Sequence, residues 1–256
     1  MSDDAPGAEL APRADIVAEA RRVLDAANAR DVPLRLIGGL AIALVAGDNR
    51  LLPRDYKDID FVARRGMGPE VVALLDSLGY EGNQQFNALN GHRRLLYYDN
   101  AHGRQLDVFL GSFQMSHQLP IQERLLVARD TLPLADLLLT KLQVFALNEK
   151  DQRDVLTLLF HRPLSDDDAD GAINCDYVAS LCSRDWGLWR TCTLNLERIR
   201  SAVARYDLAP EQQDVIVSRI DELRRRIDDA PKSTRWKLRA RVGERVRWYD
   251  EPEEVT

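Results

Sequence analysis

The two halves of the chain carry different hydrophobic periodicities, and the change comes near residue 130. Before it, alternating strand-like patterns are interspersed with helical ones, whereas from Pro133 onward helical periodicity dominates. We therefore predict an α+β fold: a small mixed β-sheet with flanking helices over residues 14–130, followed by an α-helical C-terminal domain over residues 131–256. Residues 1–13, which are acidic and rich in small residues, are predicted to be a disordered N-terminus.

The first half should contain helices and strands in alternation. Apolar residues at helical spacing, short apolar runs and turn-forming residues give the bounds of these elements. Helices are predicted over residues 14–30, 40–46 and 69–78, and strands over residues 34–37, 58–63, 93–98 and 105–110.

One predicted strand, residues 58–63, carries two acids on one face. Because side chains alternate along a strand, Asp58 and Asp60 point one way while Ile59 and Phe61 point the other. Such carboxylates lie about 6 to 7 Å apart at the backbone, close enough to share a divalent cation. The alternative is that they form the solvent face of an ordinary amphipathic strand.

Asp107 has a similar setting in the strand predicted at residues 105–110. Leu106 and Val108 point to one face and Asp107 to the other, so an adjacent strand would place Asp107 beside the first two acids. Three carboxylates can hold two Mg2+ ions, one binding a triphosphate and the other lowering the pKa of an attacking hydroxyl. Asp107 would serve as a metal ligand or as a base.

The pair Gly38-Gly39 lies between a predicted strand and a predicted helix. The free N–H groups and the dipole of a helix N-terminus favour a phosphate, and the absence of side chains lets the phosphate approach closely. Its position one helix upstream of Asp58 and Asp60 strengthens the prediction of a phosphate site.

The order I37-G38-G39, D58-I59-D60-F61 and then a lone strand aspartate, Asp107, resembles the polymerase-beta-like nucleotidyltransferase superfamily over roughly the first half of the chain. The resemblance implies that Gly38 and Gly39 cradle the NTP phosphates and that the three acids bind the metal ions. Lys57, directly before Asp58, is assigned to the nucleotide site as well. Two features depart from the pattern: the segment GDNRLLPRDYK before Asp58 is long, and the second glycine replaces a serine found in many relatives.

A narrower resemblance, to AbiEii-type nucleotidyltransferases, is carried by L137-L138-L139-T140-K141-L142 and K150-D151-Q152-R153-D154. It implies that Lys141 reaches the triphosphate and that Asp151 or Asp154 orients Lys141 or acts near the acceptor. The family includes toxins of toxin–antitoxin pairs, some of which modify tRNA ends. Lys141 has an alternative interpretation as a surface lysine on the edge of a core helix. Lys150 and Asp154 have one as an i,i+4 salt bridge.

Residues 219–247 are strongly basic although the whole chain has a net charge of -6. That net charge argues against a protein that coats nucleic acid by bulk electrostatics, so any such contact must be local. The region is interpreted either as a surface for RNA, with tRNA implied by the resemblance, or as a solvated helix face. Trp236 and Trp248 fit either core packing or RNA stacking. Arg93 and Arg94 precede a strand that carries Tyr97 and Tyr98, and this stretch could present charge and an aromatic face to a nucleotide or be plain strand surface.

Three cysteines without CxxC spacing and four scattered histidines indicate neither a disulfide framework nor a zinc site. The N-terminus lacks the basic and apolar regions of a signal peptide, and no apolar run approaches the length of a membrane span, which predicts a cytoplasmic protein without membrane contact.

The predicted function is Mg2+-dependent transfer of a nucleoside monophosphate from an NTP to an acceptor hydroxyl, with the nucleotide between the two domains. The resemblance adds tRNA as an acceptor and a cognate antitoxin as a partner. Two alternatives are a nucleotidyltransferase that acts on a small molecule such as an antibiotic, and a noncatalytic binding or antitoxin-associated protein with the same fold.

Overall fold

Two units make up the chain in the computed structural model, which describes residues 11–169 and 171–251. Most of the predicted disordered N-terminus, residues 1–10, lies outside the described residues, as do Asp170 and residues 252–256. Among the described residues, the first unit comprises residues 11–44, Asp55–Phe113 and Pro120–Leu132, and the second comprises Val45–Arg54, Gln114–Leu119, and residues 133–169 and 171–251.

The first unit is built on a five-stranded mixed sheet. Its strands are β1 Leu34–Ile37, β2 Asp58–Ala63, β3 Glu81–Gly82, β4 Arg94–Asp99 and β5 Arg104–Leu110, and its helices are α1 Ile16–Ala29, α2 Gly38–Ala46, α3 Gly68–Ser77 and α4 Gln84–Asn90. The spatial order is β1-β2-β5-β4-β3, in which β2 and β5 are parallel and the other neighbours are antiparallel.

One face of this sheet is apolar because the strands alternate. Ile59, Phe61, Leu106 and Val108 are all at most 1% exposed. Burying such side chains stabilises the fold by roughly 1.5 to 3 kcal/mol each. Alternation therefore sends the polar residues of the same strands to the opposite face.

Helix α1 begins at a capped residue and is fixed by a buried polar group. The side chain of Asp15 accepts a hydrogen bond from the backbone of Ala18 at the N-terminus of α1. Glu19 is fully buried and accepts from Arg22 at 2.8 Å and from the hydroxyl of Tyr80. Burial alone would raise the pKa of Glu19, but these hydrogen bonds outweigh burial and its pKa is lowered.

The second unit is mainly helical. Its helices are α5 Leu134–Leu142, α6 Glu149–His161, α7 Cys175–Arg184, α8 Trp186–Ala202, α9 Pro210–Asp229 and α10 Thr234–Val242, and the short strands of this part of the chain are β6 Phe113–Gln114, β7 Gln118–Leu119, β8 Leu164–Ser165 and β9 Ile173–Asn174. Single-turn 3-10 helices occur at Val203–Arg205 and Gly243–Arg245 in this unit and at Ile121–Arg124 in the first unit. Asn148, Asn174, Asp185 and Ser233 cap the N-termini of α6, α7, α8 and α10. Cys175, Cys182 and Cys192 are buried free thiols.

The predicted α+β class is confirmed, since the described residues form helices and a small mixed sheet. The strands predicted at residues 34–37 and 58–63 have those bounds, and the other predicted elements differ by one or two residues at their ends. Strand β3 and helix α4 were not predicted. No helix in the described part of the chain has both the length and the apolar character needed to cross a lipid bilayer.

Candidate functional site

Three aspartates lie together on the polar face of the sheet in the first unit, and we call them the acidic face: Asp58, Asp60 and Asp107. Strands β2 and β5 are parallel neighbours, and their register pairs Asp60 with Asp107 and Asp58 with Gln105. Residues paired in register project to the same face. The pairing of the two strands therefore places all three aspartates on the same side of the sheet.

Access to solvent decreases across the acidic face. Asp58 is exposed and Asp60 is half-buried, whereas Asp107 is only 3% exposed. Both oxygens of Asp107 accept hydrogen bonds, Oδ1 from Nε of Arg94 at 2.7 Å and Oδ2 from Nε2 of Gln105 at 2.7 Å. These charge-assisted bonds satisfy a carboxylate that would otherwise be expensive to bury.

Arg94 is held over an aromatic ring while it contacts Asp107. Its guanidinium carbon lies 4.9 Å from the ring centre of Phe109 and 5.8 Å from that of Phe86. Arg94 pairs with Phe109 across β4 and β5, so both residues belong to the polar face. Arg94 therefore lies on the same side of the sheet as the three aspartates.

Gly38 connects β1 to α2 directly beside Asp60. Strand β1 ends at Ile37, which pairs with Asp60, and α2 begins at the next residue. Gly38 has φ +71°, and a Cβ placed on it would lie 2.6 Å from Oδ2 of Asp60. Glycine is therefore required both for the backbone conformation and for the close approach of the carboxylate.

The remaining members of the predicted phosphate site lie on either side of this turn. Gly39 is buried in the first turn of α2, where backbone N–H groups have no partner within the helix. Lys57 is exposed and immediately precedes β2. The N-terminus of a nine-residue helix therefore lies at the end of the acidic face.

The acidic face fits Mg2+ in its donor chemistry and in its strand register, because carboxylate oxygens are the ligands that this cation prefers. Within residues 11–169 and 171–251, however, no group of three or more His, Cys, Asp or Glu side chains is arranged to hold a metal ion. A cation at Asp107 would have to replace the hydrogen bonds from Arg94 and Gln105.

A second charged group lies in the second unit, and we call it the Lys141 cluster: Arg54, Lys141, Asp151 and Asp154. Nζ of Lys141 lies 2.8 Å from Oδ1 of Asp151 and 2.9 Å from Oδ2 of Asp154. Arg54 donates to both oxygens of Asp154, at 3.0 Å from Nε and 2.8 Å from Nη2. Two cations and two carboxylates thus form one connected network between α5, α6 and the segment before β2.

The Lys141 cluster is largely buried. The side chains are 12% exposed at Lys141, 13% at Asp151, 3% at Asp154 and 16% at Arg54. Burial would lower the pKa of Lys141, but the two carboxylates outweigh burial and raise it, so Lys141 is held as a cation. The interpretation of Lys141 as a surface lysine is therefore wrong.

The alternative pairing within α6 also needs correction. Asp154 is 2% exposed and pairs with Lys141 and Arg54, while the i,i+4 ion pair of this helix joins Glu149 to Arg153 at 2.9 Å. Lys141 contacts both Asp151 and Asp154, so both residues are its partners.

Sequence reasoning missed Arg54 and Gln105. Arg54 lies in the segment GDNRLLPRDYK before Asp58, and its partner Asp154 is 100 residues away, so no local pattern connects the two. Gln105 precedes Asp107 by two residues on the same strand, so alternation alone places the two side chains on one face.

The basic region 219–247 begins within α9 and continues through α10. In α9 its arginines have intramolecular partners: Arg219 donates to the carbonyl oxygens of Leu159 and Phe160, and the other pairs join Arg224 to Glu197 and Asp228, Arg225 to Glu222 and Asp229, and Arg226 to Asp166, Asp176 and Glu222. This part matches the solvated helix face. Trp236 and Trp248 follow it, and each packs edge-on against another tryptophan.

Comparison of the chain with protein-family models, with curated proteins and with solved structures found no match. The function must therefore be inferred from the side chains and their geometry.

Proposed function

We propose that this protein is a Mg2+-dependent nucleotidyltransferase that transfers a nucleoside monophosphate from an NTP to an acceptor hydroxyl. The observation that carries the proposal is the register of Asp60 with Asp107 on parallel strands, with Asp58 on the same face. An ordinary amphipathic strand explains Asp58 and Asp60 by themselves. It gives no reason for a third carboxylate in register or for a glycine turn against Asp60.

Each residue of the acidic face has a role in this proposal. Asp58, Asp60 and Asp107 would hold Mg2+, which offsets phosphate charge and lowers the pKa of the attacking hydroxyl when bound. Asp107 would also accept the proton of that hydroxyl, after exchanging its hydrogen bonds to Arg94 and Gln105.

The turn at Gly38 and Gly39 would bind the triphosphate. The first backbone N–H groups of α2 are donors for phosphate oxygens, and the helix dipole favours the negative charge there. Lys57, exposed beside Asp58, adds a positive charge for the nucleotide. Orientation by these groups supplies much of the catalysis in phosphoryl transfer, where the protein does little covalent chemistry.

The resemblance to AbiEii-type enzymes assigns the second triphosphate contact to Lys141. Its two carboxylate partners hold the lysine charged and in one orientation, which supports a positioning role for Asp151 and Asp154. The acceptor, proposed as tRNA, the cognate antitoxin and the cytoplasmic location come from that resemblance and from the sequence alone.

The proposal is tested by label transfer. The full chain is incubated with each alpha-labelled NTP, Mg2+ and total cell RNA or cell protein. We expect label in one macromolecular fraction with at least one NTP, and we expect Asp60→Asn to lower the transfer rate by at least about a hundredfold.

Asp25→Asn is the matched control, since Asp25 is an exposed aspartate on α1 in the same unit. It should transfer label at the wild-type rate. Absence of transfer in every combination, or equal transfer by Asp60→Asn, would show that the acidic face does not perform this reaction.

A further inference from the structure

A cavity in the second unit is lined by tryptophans and arginines. Its volume is about 340 Å³, within the range of roughly 300 to 1,000 Å³ that is common for small-molecule sites. We call it the Arg-Trp pocket after the residues that dominate its wall: Arg184, Trp186, Arg235, Trp236, Arg239 and Trp248. It is separate from the residues assigned to the proposed transfer reaction.

Aromatic rings form a connected wall of the Arg-Trp pocket. Trp186 and Trp248 pack edge-to-face with ring centres 5.9 Å apart, and Trp236 packs in the same way on Trp189 at 5.1 Å. The indole N–H of Trp248 donates to Thr191 at 3.1 Å, which fixes its orientation. These contacts hold the rings in place before any ligand arrives, and preorganised rings bind planar groups with little loss of entropy.

Two of the arginines are structural. Arg239 donates to the carbonyl oxygens of Gly243 and Val246 at 2.6 and 2.8 Å, and its guanidinium carbon lies 4.7 Å from the ring centre of Trp186. Arg247, a further lining residue, pairs with Glu251 at 2.7 Å.

The other two arginines, Arg184 and Arg235, are exposed at the pocket. Their guanidinium groups form no ion pair and donate no hydrogen bond to any residue that the structure describes. They lie beside the N-terminal residues of α8, Trp186 and Gly187, whose backbone N–H groups precede the first intrahelical bonds.

The acids at the pocket are already engaged. Oδ1 of Asp185 accepts from the backbone of Leu188 as the cap of α8, and Oδ2 of Asp250 accepts from Gln114 at 2.9 Å. Four arginines therefore line the pocket against two aspartates, and two of the arginines have donors to offer. The pocket favours an anion.

We infer that the Arg-Trp pocket binds one nucleoside phosphate unit. The base would stack on Trp236 or Trp248, the two lining tryptophans that are partly exposed, because stacking on aromatic side chains tolerates any base. Trp186 supports Trp248 rather than the base, since it is only 6% exposed and Arg239 covers its ring.

The phosphate would accept hydrogen bonds from Arg184 and Arg235, whose planar guanidinium groups match its oxygens. The same chemistry is offered by a free nucleotide and by a nucleotide within a single-stranded RNA. This inference does not rest on the transfer reaction proposed for the acidic face.

Tryptophan emission provides a direct test, because all four tryptophans of the chain, Trp186, Trp189, Trp236 and Trp248, lie in this aromatic group. The full chain is titrated in EDTA without Mg2+, so that metal-dependent binding elsewhere is suppressed. The probes are AMP, GMP, CMP and UMP, adenosine, inorganic phosphate, a short single-stranded RNA and the same RNA as a duplex.

We expect quenching that saturates with the mononucleotides or the single-stranded RNA, weakens with salt, and is at least about tenfold weaker with adenosine or phosphate alone. Binding of the mononucleotides as tightly as the RNA would identify a free nucleotide as the ligand. Much tighter binding of the strand would identify RNA.

The double variant Arg184→Gln/Arg235→Gln should raise the Kd at least about tenfold. Arg241→Gln is the matched control, since Arg241 is an exposed arginine of α10 outside the pocket lining. It should change the Kd less than about twofold. Circular dichroism checks that the variants are folded.

Three results would overturn the inference: no saturable quenching by any nucleotide or strand, a Kd unchanged in the double variant, or inorganic phosphate binding as tightly as the nucleotides. Asp60→Asn should bind the probes like the wild type. Loss of label transfer together with retained quenching would therefore separate failure at the acidic face from failure at the pocket.

Discussion

The acidic face and the Lys141 cluster are both groups of carboxylates with basic neighbours, but they differ in access to solvent. The acidic face runs from an exposed Asp58 to a buried Asp107. The Lys141 cluster is largely buried, and two cations balance its two carboxylates. A carboxylate that reaches solvent can exchange partners with a ligand, whereas buried carboxylates paired with cations hold those cations in place. Four predictions test this difference.

The largest expected effect is on stability, at the Lys141 cluster. Asp154→Ala removes the carboxylate that Lys141 and Arg54 share, and it leaves two cations in a buried site. We expect the free energy of unfolding to fall by about 3 to 5 kcal/mol, measured by urea denaturation. Glu149→Gln, at an exposed ion pair on the same helix, should change it by less than about 1 kcal/mol. An unchanged free energy of unfolding in Asp154→Ala would show that the Asp154 carboxylate does not stabilise this region of the fold.

The next effect concerns the turn at the acidic face. Gly38→Ala places a methyl group 2.6 Å from Oδ2 of Asp60 at φ +71°. We expect a loss of about 2 kcal/mol in the free energy of unfolding, from the unfavourable φ and the clash together, and a loss of label transfer.

Gly47→Ala separates the two causes. Gly47 has φ +77°, but a Cβ there would meet nothing within 4 Å. It should lose only about 1 kcal/mol in the free energy of unfolding. Equal losses in both variants would mean that the approach of Asp60 to the turn is unimportant.

A smaller effect compares the two arginines. Arg94→Gln removes the guanidinium from Asp107 on the acidic face, and Arg54→Gln does the same for Asp154 in the Lys141 cluster. We expect Mg2+ to bind the Arg94→Gln protein more tightly than the wild type, and a tenfold tighter Kd adds about 1.4 kcal/mol of stabilisation at saturating Mg2+.

Thermal melts with and without Mg2+ measure this difference. Arg54→Gln should show no gain in its response to Mg2+. The carboxylate that this change releases, that of Asp154, is buried among the other members of the cluster. An equal response in the wild type and in both variants would remove the distinction between the two groups.

The smallest effect is a pH dependence. The carboxylates raise the pKa of Lys141 above its ordinary value of 10.5 despite burial. A raised pKa in the folded state means that the stabilisation is fully present below pH 10.5 and is lost as the pH rises through the folded value. The free energy of unfolding should therefore fall more steeply above pH 10.5 in the wild type than in Lys141→Met. Parallel profiles would contradict this.

The sequence was sufficient where a local pattern decides the structure. Alternation in residues 58–63 gave the bounds of β2 and the shared face of Asp58 and Asp60, and alternation around Asp107 gave its orientation. The pairing of Asp60 with Asp107 was only a conditional prediction, because the choice of neighbouring strand and its register depend on the packing of the whole sheet.

Local patterns failed where partners are distant or where an element is polar. The alternative pairing of Asp154 with Lys150 in its own helix was wrong, and the contact with Arg54, which lies 100 residues away along the chain, was not predicted. Helix α4 has no buried residue and hence no hydrophobic period. Its position is fixed by the side chain of Asn87, which bonds the backbone N–H and carbonyl of Leu96.

The positions of the cysteines make the two units chemically distinguishable. Cys175, Cys182 and Cys192 are buried in the second unit, and the first unit contains no cysteine. Burial raises the pKa of Cys175 to about 11, which keeps its thiol protonated and unreactive near neutral pH. A cysteine introduced at an exposed position of the first unit, such as Asp25, can therefore be alkylated selectively with a maleimide dye, leaving the native thiols in place.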